Sequence, residues 1–214
     1  MRRRNVKNVD VRIEQAKKNV IQSGKEYKGK WHELFGNDNP IYLEIGMGKG
    51  DFIIEHAKTN PNINYIGLEK FASVLIQASD KLNDEHLPNL YLLLVDAEEL
   101  TEIFEENEIS QIFLNFSDPW PKARHAKRRL TSNRFLPNYQ TILKDEGKIE
   151  FKTDNRELFE YSIVSMNNFG MTFLDLSFDL HNRDSEVYII KTEYEKKFMA
   201  KGNPIYFLQS TFKK

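Results

Sequence analysis

From residue 41 onward, stretches of strand length alternate with stretches of helical periodicity, and that alternation confines the chain to an α/β fold. Strand patterns occur at 42–45, 64–68, 90–95, 110–116, 148–152, 172–178 and 205–212. Leu90-Tyr-Leu-Leu-Leu-Val95 is an almost continuous apolar run, as a strand buried on both faces requires. Helical patterns fill the gaps at 51–58 and 97–106. The clearest of them sets Phe71, Val74, Leu75, Ala78 and Leu82 on one face. The helix-like stretch 131–143 is interrupted by Pro137, so its firm part is expected after the proline. Asp154 with Glu157 three residues on reads as a capped helix start, and Phe159, Ile163 and Met166 mark the face that follows. Repeated alternation of this kind builds a mainly parallel sheet with helices on both faces.

Residues 1–39 read differently. They form a polar, basic lead-in with one short helix expected at 10–21, and Trp31, Leu34 and Phe35 are available to tuck against the body. Gly36-Asn-Asp-Asn-Pro40 then punctuates the chain. The expected division is an N-terminal arm and helix over 1–39 and one domain over 40–214, with the ordered core starting at Ile41. A chain of 214 residues suits a single large domain with a substantial core.

In open α/β sheets the ligand lies beyond the C-terminal ends of the strands. Four acids stand there: Glu44, Glu69, Asp96 and Asp118. Any one of them could be an ordinary loop acid. Four in succession beside a glycine loop favour a site. The loop is Glu44-Ile-Gly46-Met-Gly48-Lys-Gly50-Asp51, placed between a strand and a helix. Glycines there permit a tight turn and close approach of a ligand to the backbone. The dinucleotide fingerprint G-x-G-x-x-G is not met, because its third position is Asp51 and the third glycine has moved to Gly50. The ribose-binding acid survives as Glu69, 19 residues beyond Gly50. An acid at Glu44 repels phosphates and suits a cationic ligand, which disfavours a dinucleotide oxidoreductase.

Composition narrows the chemistry further. The chain is 29% charged and 40% hydrophobic, with a net charge of −1, so overall charge points to no partner. Local charge does. Arg2, Arg3, Arg4 and Lys7 load the N-terminus, and 122–129 holds six basic-type residues among eight. Such a stripe can bind nucleic acid on a near-neutral protein. Absence of cysteine excludes disulfides, thiolate nucleophiles and cysteine-based zinc sites. No apolar run reaches the roughly 18 residues of a membrane span, and no secretory signal opens the chain. The five histidines, His32, His56, His86, His125 and His181, show no metal-ligand spacing and read as surface residues.

The glycine loop with Glu69 and Asp96 resembles the S-adenosylmethionine (AdoMet) site of Rossmann-like class I methyltransferases. The stretch Asn115-Phe-Ser-Asp118-Pro-Trp-Pro-Lys122-Ala-Arg-His-Ala-Lys-Arg128-Arg129 is narrower. Together with Phe151-Lys-Thr-Asp154-Asn and Thr192-Glu-Tyr-Glu195, it resembles the tRNA (guanine-N7)-methyltransferase family over most of the chain from Ile41 to Phe207. The resemblance implies a seven-stranded sheet and AdoMet as cofactor. It implies AdoMet contacts from Glu44, Gly46, Gly48, Gly50, Glu69, Asp96 and Asp118, with Asp118 also catalytic. It implies guanine contacts from Lys122, Asp154, Thr192, Glu193, Tyr194 and Glu195. It places tRNA along Arg124, His125, Ala126, Lys127, Arg128 and Arg129, with a variable-loop guanine as target. It further implies a cytoplasmic enzyme, monomeric or homodimeric, with no metal and no membrane association. Without the resemblance, 192–201 reads as a surface helix.

Guanine N7 carries a lone pair and no proton, so no general base is needed to make it a nucleophile. Asp118 is therefore expected to stabilise developing positive charge or to hold the donor edge of guanine. A second reading remains open. Ser117-Asp118-Pro119-Trp120 also resembles the motif by which some methyltransferases hold an exocyclic amine, with Trp120 available to stack on a base. A non-catalytic RNA-binding protein on the same fold is the third.

Overall fold

The computed structural model describes residues 8–16, 19–82, 85–183, 191–192, 194–195, 200 and 202–213. The basic arm Arg2, Arg3, Arg4 and Lys7, and the candidate Glu193, lie outside the described residues. The chain divides into two compact units, Met1–Glu105 and Glu106–Lys214. Each carries four strands among the described residues.

In the first unit the strands are β1 (Val20–Ile21), β2 (Ile41–Ile45), β3 (Asn64–Leu68) and β4 (Leu90–Leu93), in the order β1-β4-β3-β2 and all parallel. The helices α3 (Asp51–Thr59) and α4 (Ala72–Lys81) make the crossovers. Every residue of β3 is buried, as the apolar sequence of an interior parallel strand requires. The short acidic helix is a 3-10 turn, Ala97–Glu99, leading into α5 (Leu100–Ile103).

Among the described residues the strands number eight where seven were expected. The extra one is β1, in a segment expected to be helical. Helix α1 (Val9–Gln15) stops short of it. Val20 pairs with Leu92 and Ile21 with Leu93, and Leu92 N–H donates to Asn19 O at 2.7 Å. Two residues are too few to display a strand's alternation. The ordered core also starts before Ile41. Trp31, on α2 (Trp31–Phe35), is fully buried; its indole N–H donates to Ile103 O at 3.1 Å and its ring tilts against Phe104 at 5.4 Å. A buried tryptophan with its one polar atom satisfied is a core residue, not an appendage.

The second unit holds β5 (Ile109–Asn115), β6 (Leu143–Thr153), β7 (Thr172–Ser177) and β8 (Tyr206–Thr211). β5 and β6 are parallel; β8 runs antiparallel to β6 and to β7, giving the order β5-β6-β8-β7. Helix α6 (Leu136–Ile142) has Pro137 in its first turn. There the missing N–H forfeits no helical bond, so the proline opens the helix and does not interrupt it. Between Leu143 and Lys148 the pairing with β5 slips, and Glu146 adopts φ 44°, which accounts for the turn expected at 145–147. Helix α7 (Arg156–Asn168) is capped by Asn155, whose side chain accepts from Leu158 N–H at 2.8 Å. The cap is thus Asn155 and not Asp154. No helix of the described residues is long and apolar enough to cross a membrane.

Candidate active site

The glycine turn of the first unit leaves β2 and enters α3. Gly46 N–H and Met47 N–H both donate to Leu68 O, at 2.8 and 3.0 Å, so β3 anchors the turn. Gly46, Gly48 and Gly50 all have positive φ, at 75°, 59° and 74°. Side chains rarely tolerate that backbone. At Gly46 and Gly48 a Cβ would meet nothing within 4 Å, so the turn borders open space there. At Gly50 a Cβ would lie 2.8 Å from Ala78 Cβ, so glycine lets α3 and α4 close on each other.

Three carboxylates gather at the ends of three neighbouring parallel strands. Glu44 is buried near the end of β2, paired with Gly67 of β3. Glu69, just past β3, is buried and accepts from Gly48 N–H at 3.3 Å and from Phe71 N–H at 3.0 Å. Burial pushes the Glu69 carboxyl above its usual range, opposed by those backbone donors and by Lys70. Asp96, beyond β4, accepts from Glu98 N–H at 3.2 Å and lies 3.5 Å from Lys70 Nζ. The glycine turn and the acids thus share one end of this unit's sheet, as the strand-end rule requires.

In the second unit, β5 ends in a tightly bent loop. Phe116 and Trp120 have φ of 48° and 43°. Asp118 between them is exposed. The bend is held from inside. Arg129, 9% exposed, donates to Pro119 O at 3.0 Å and to Trp120 O at 3.1 Å, and its guanidinium lies 4.2 Å from the Tyr161 ring centre. The basic segment forms a 3-10 helix, Ala123–Arg128. Lys122, Arg124, Lys127 and Arg128 are exposed, while His125 and Ala126 are half-buried. Arg128 covers a face of the Trp120 ring at 4.9 Å and His125 meets its edge at 5.8 Å. The indole therefore gives one face to the basic helix.

Asp154 follows β6 and is half-buried; burial raises its carboxyl above the usual range. Of the surface helix expected over 192–201, Tyr194 and Glu195 are helical and most of the rest lies outside the described residues; its opening turns inward. Thr192 and Glu195 are buried, and only Tyr194 is exposed among the described residues of 192–195. Thr192 and Glu195 form a reciprocal capping box: Glu195 N–H donates to Thr192 Oγ1 at 2.9 Å, and Thr192 N–H donates to Glu195 Oε2 at 3.2 Å. Tyr194 packs on Phe116 at 5.1 Å, and the charge of Asp154 helps raise its hydroxyl pKa after burial. Two residues here are not among the candidates that the sequence marks. Lys152 on β6 and His181, expected at the surface, both bind the Glu195 carboxylate. The Thr-x-x-Glu spacing is the available signal for the box; nothing local marks its partners.

The model of a family described as putative methyltransferase matches residues 38–208. A tRNA (guanine-N(7)-)-methyltransferase of Bacillus cytotoxicus is 54% identical over 202 residues, covering 94% of this chain and 93% of that protein. One from a Geobacillus species is 59% identical over 187 residues, covering 87% and 84%. One from Listeria monocytogenes is 55% identical over 201 residues, covering 94% of each. Among solved structures, the 16S rRNA methyltransferase KamB aligns with a TM-score of 0.66 at 16% identity, over 87% of this chain and 94% of that one. An antibiotic-related methyltransferase aligns with a TM-score of 0.63 at 22% identity, over 86% and 94%. These structural likenesses establish the Rossmann-like class I methyltransferase fold. Sequence identity above one half over nearly the whole length goes further: the chain belongs to the tRNA (guanine-N7-)-methyltransferase family.

Proposed function

We propose that this chain transfers a methyl group from AdoMet to N7 of a guanine in tRNA, in the cytoplasm, with the variable loop as the target region. The methyltransferase domain is assigned to 40–214, with β1 and Trp31 of the preceding residues completing the sheet and core of its first unit. What carries the reading is the second unit's arrangement: an exposed Asp118 at the head of a basic 3-10 helix, and an exposed Tyr194 beside Asp154.

The first unit's turn suits AdoMet. Open space at Gly46 and Gly48 admits a ligand to the backbone. Glu69, already fixed by Gly48 and Phe71 N–H groups, retains acceptor capacity for a ribose diol. Asp96 can accept from an adenine amine, and Glu44 can face the ammonium and sulfonium end. AdoMet supplies a methyl group on a cationic sulfur. Acids at three neighbouring strand ends favour that charge where they would reject a phosphate.

Methyl transfer is an in-line displacement, so the protein's task is alignment and charge stabilisation. The nucleophile needs no deprotonation, which leaves Asp118 free of any proton-abstracting role. It stabilises the positive charge that the guanine ring gains. Asp154 accepts from the donor edge of guanine, and Tyr194 offers a ring face to the base. Lys122, Arg124, Lys127 and Arg128 contact phosphates, which position the RNA without reading its sequence. Arg129 is assigned differently from its neighbours: it braces the loop that carries Asp118.

The test uses labelled AdoMet and unmodified bulk tRNA, followed by base analysis. Label in 7-methylguanine is expected. Label on an exocyclic amine would favour the second reading, and AdoMet that fails to bind at high micromolar concentration would remove both enzyme readings.

A further inference from the structure

The second unit brings three ionisable side chains together, two of them buried. The Glu195 side chain has no exposed surface, that of Lys152 is 2% exposed and that of His181 12%. Glu195 Oε1 lies 2.7 Å from His181 Nε2, and Oε2 lies 3.2 Å from both Lys152 Nζ and Thr192 N. Both carboxylate oxygens are thus committed inside the protein. A guanine could bind this carboxylate only by breaking those bonds. Burying charges together is costly unless geometry and hydrogen bonding satisfy them, so the purpose of this cluster need not be stability.

The surroundings indicate that purpose. Lys152, on β6, stands two residues before Asp154. His181 follows Leu180, whose N–H donates to Ile205 O at 2.8 Å. Leu180, Ile205 and Phe207 form a buried cluster on which Phe116 packs. Phe116 carries the ring against which Tyr194 lies. Glu195 therefore ties 192–195 to the strand that leads into Asp154 and to the turn bearing His181. Thr192 and Tyr194 ride on that tie.

We infer that Lys152 and His181 are positioning residues for guanine. They act through Glu195, which serves as an internal pin for 192–195 and not as a substrate ligand. This rests on the guanine-methylation reading above. The ring orientation follows from the chemistry: an ionised carboxylate only accepts, so His181 carries its proton on Nε2.

Two measurements test it on the full chain. The first is hydrogen–deuterium exchange of the free protein, which requires no RNA. The peptide spanning 192–195 is expected to be protected in the wild type. In His181→Ala and Lys152→Met it should exchange about tenfold faster or more, while peptides of 44–57 stay unchanged. An unprotected wild-type peptide, or variants that exchange like wild type, would overturn the inference whether or not the protein methylates tRNA. The second is kinetic. His181→Ala should lower kcat on tRNA by about tenfold with AdoMet affinity unchanged, since loss of orientation acts on the chemical step. His181→Gln, whose amide can donate to the same oxygen, should recover most of that loss. Equal loss in both variants, accompanied by loss of AdoMet binding, would mark a merely structural role and refute the proposal. Because Lys152→Met strands a buried carboxylate, the paired variant Lys152→Met/Glu195→Gln is included; it should bind AdoMet normally and still show the faster exchange. If wild type methylates no guanine, the functional reading fails while the exchange result still decides the pin.

Discussion

Arg129 donates to the carbonyl oxygen of Trp120 at 3.1 Å from a largely buried position, although Lys127 and Arg128 just before it face solvent. It belongs to the basic run by composition and to the loop scaffold by structure. Charged-group hydrogen bonds to backbone oxygens contribute roughly 1.5–3 kcal/mol each. Arg129→Ala is therefore expected to destabilise the fold by about 3 kcal/mol. Its activity loss should show the same salt dependence as wild type. Arg124→Ala and Lys127→Ala should leave urea midpoints alone and weaken tRNA binding. Each should also reduce the slope of log K against log salt by about one, the share of a single neutralised phosphate. Urea titrations and tRNA binding over a salt series check both. A flattened salt slope in Arg129→Ala at unchanged stability would contradict the bracing role.

Glu69 predicts a pH dependence. Its raised carboxyl must be ionised to accept from ribose hydroxyls. AdoMet affinity should then fall with falling pH from a point above the ordinary glutamate range, and binding there should release protons. In the free protein the linkage has the opposite sign. A carboxyl raised on folding binds more protons native than unfolded, so stability declines as pH rises from the unfolded value, near 4.5, through the folded one. Calorimetry in two buffers of different ionisation enthalpy, at a series of pH values upward from the ordinary glutamate range, reads the proton count. Glu69→Gln should abolish the release and cost about tenfold to a hundredfold in affinity. No proton release in the wild type would remove Glu69 from the cofactor.

The sequence exposed what rests on local pattern. β2 to β5 were legible because interior strands need apolar runs, and the glycine turn because its backbone needs glycine. β1 was not legible, since Val20 and Ile21 are a strand only by virtue of Leu92 and Leu93, far along the chain. The same limit hid the pin. Thr-x-x-Glu can be read in any loop, but its burial depends on Lys152, 43 residues earlier. Lys152 occupies the same alternation parity as the exposed Lys148, so strand periodicity gives no warning that it is buried. Arg129 was misplaced for a related reason. Charge is visible in a sequence, whereas the carbonyls of Pro119 and Trp120 become its partners only when the loop bends.

Asp118 separates electrostatic from proton-transfer catalysis. Asp118→Asn keeps shape and hydrogen-bonding reach but removes the charge. If the carboxylate stabilises cationic character at the transition state, kcat should fall by about a hundredfold, a typical loss for a preorganised electrostatic group. Since N7 has no proton to lose, the wild-type rate at saturating substrates should be flat across the neutral range. Single-turnover rates over pH, for both proteins, check this. Full activity in Asp118→Asn would dismiss the charge as the operative feature.

The glycines of the turn should respond differently to one added methyl. Gly46→Ala meets no protein atom within 4 Å and carries only the strain of φ 75°, about 1–2 kcal/mol for an L-residue. Gly50→Ala adds a 2.8 Å approach to Ala78 Cβ, so α3 and α4 must move apart. The expected loss there is about 3 kcal/mol or more, strain and overpacking together. AdoMet should reverse the order. The methyl at Gly46 stands in the open space where the ligand is proposed to lie, so Gly46→Ala should weaken binding more than its stability cost explains. Gly50→Ala, where it folds, should bind with an affinity closer to wild type. Thermal unfolding and AdoMet calorimetry on the two variants give the comparison, and equal affinities would place the ligand away from Gly46.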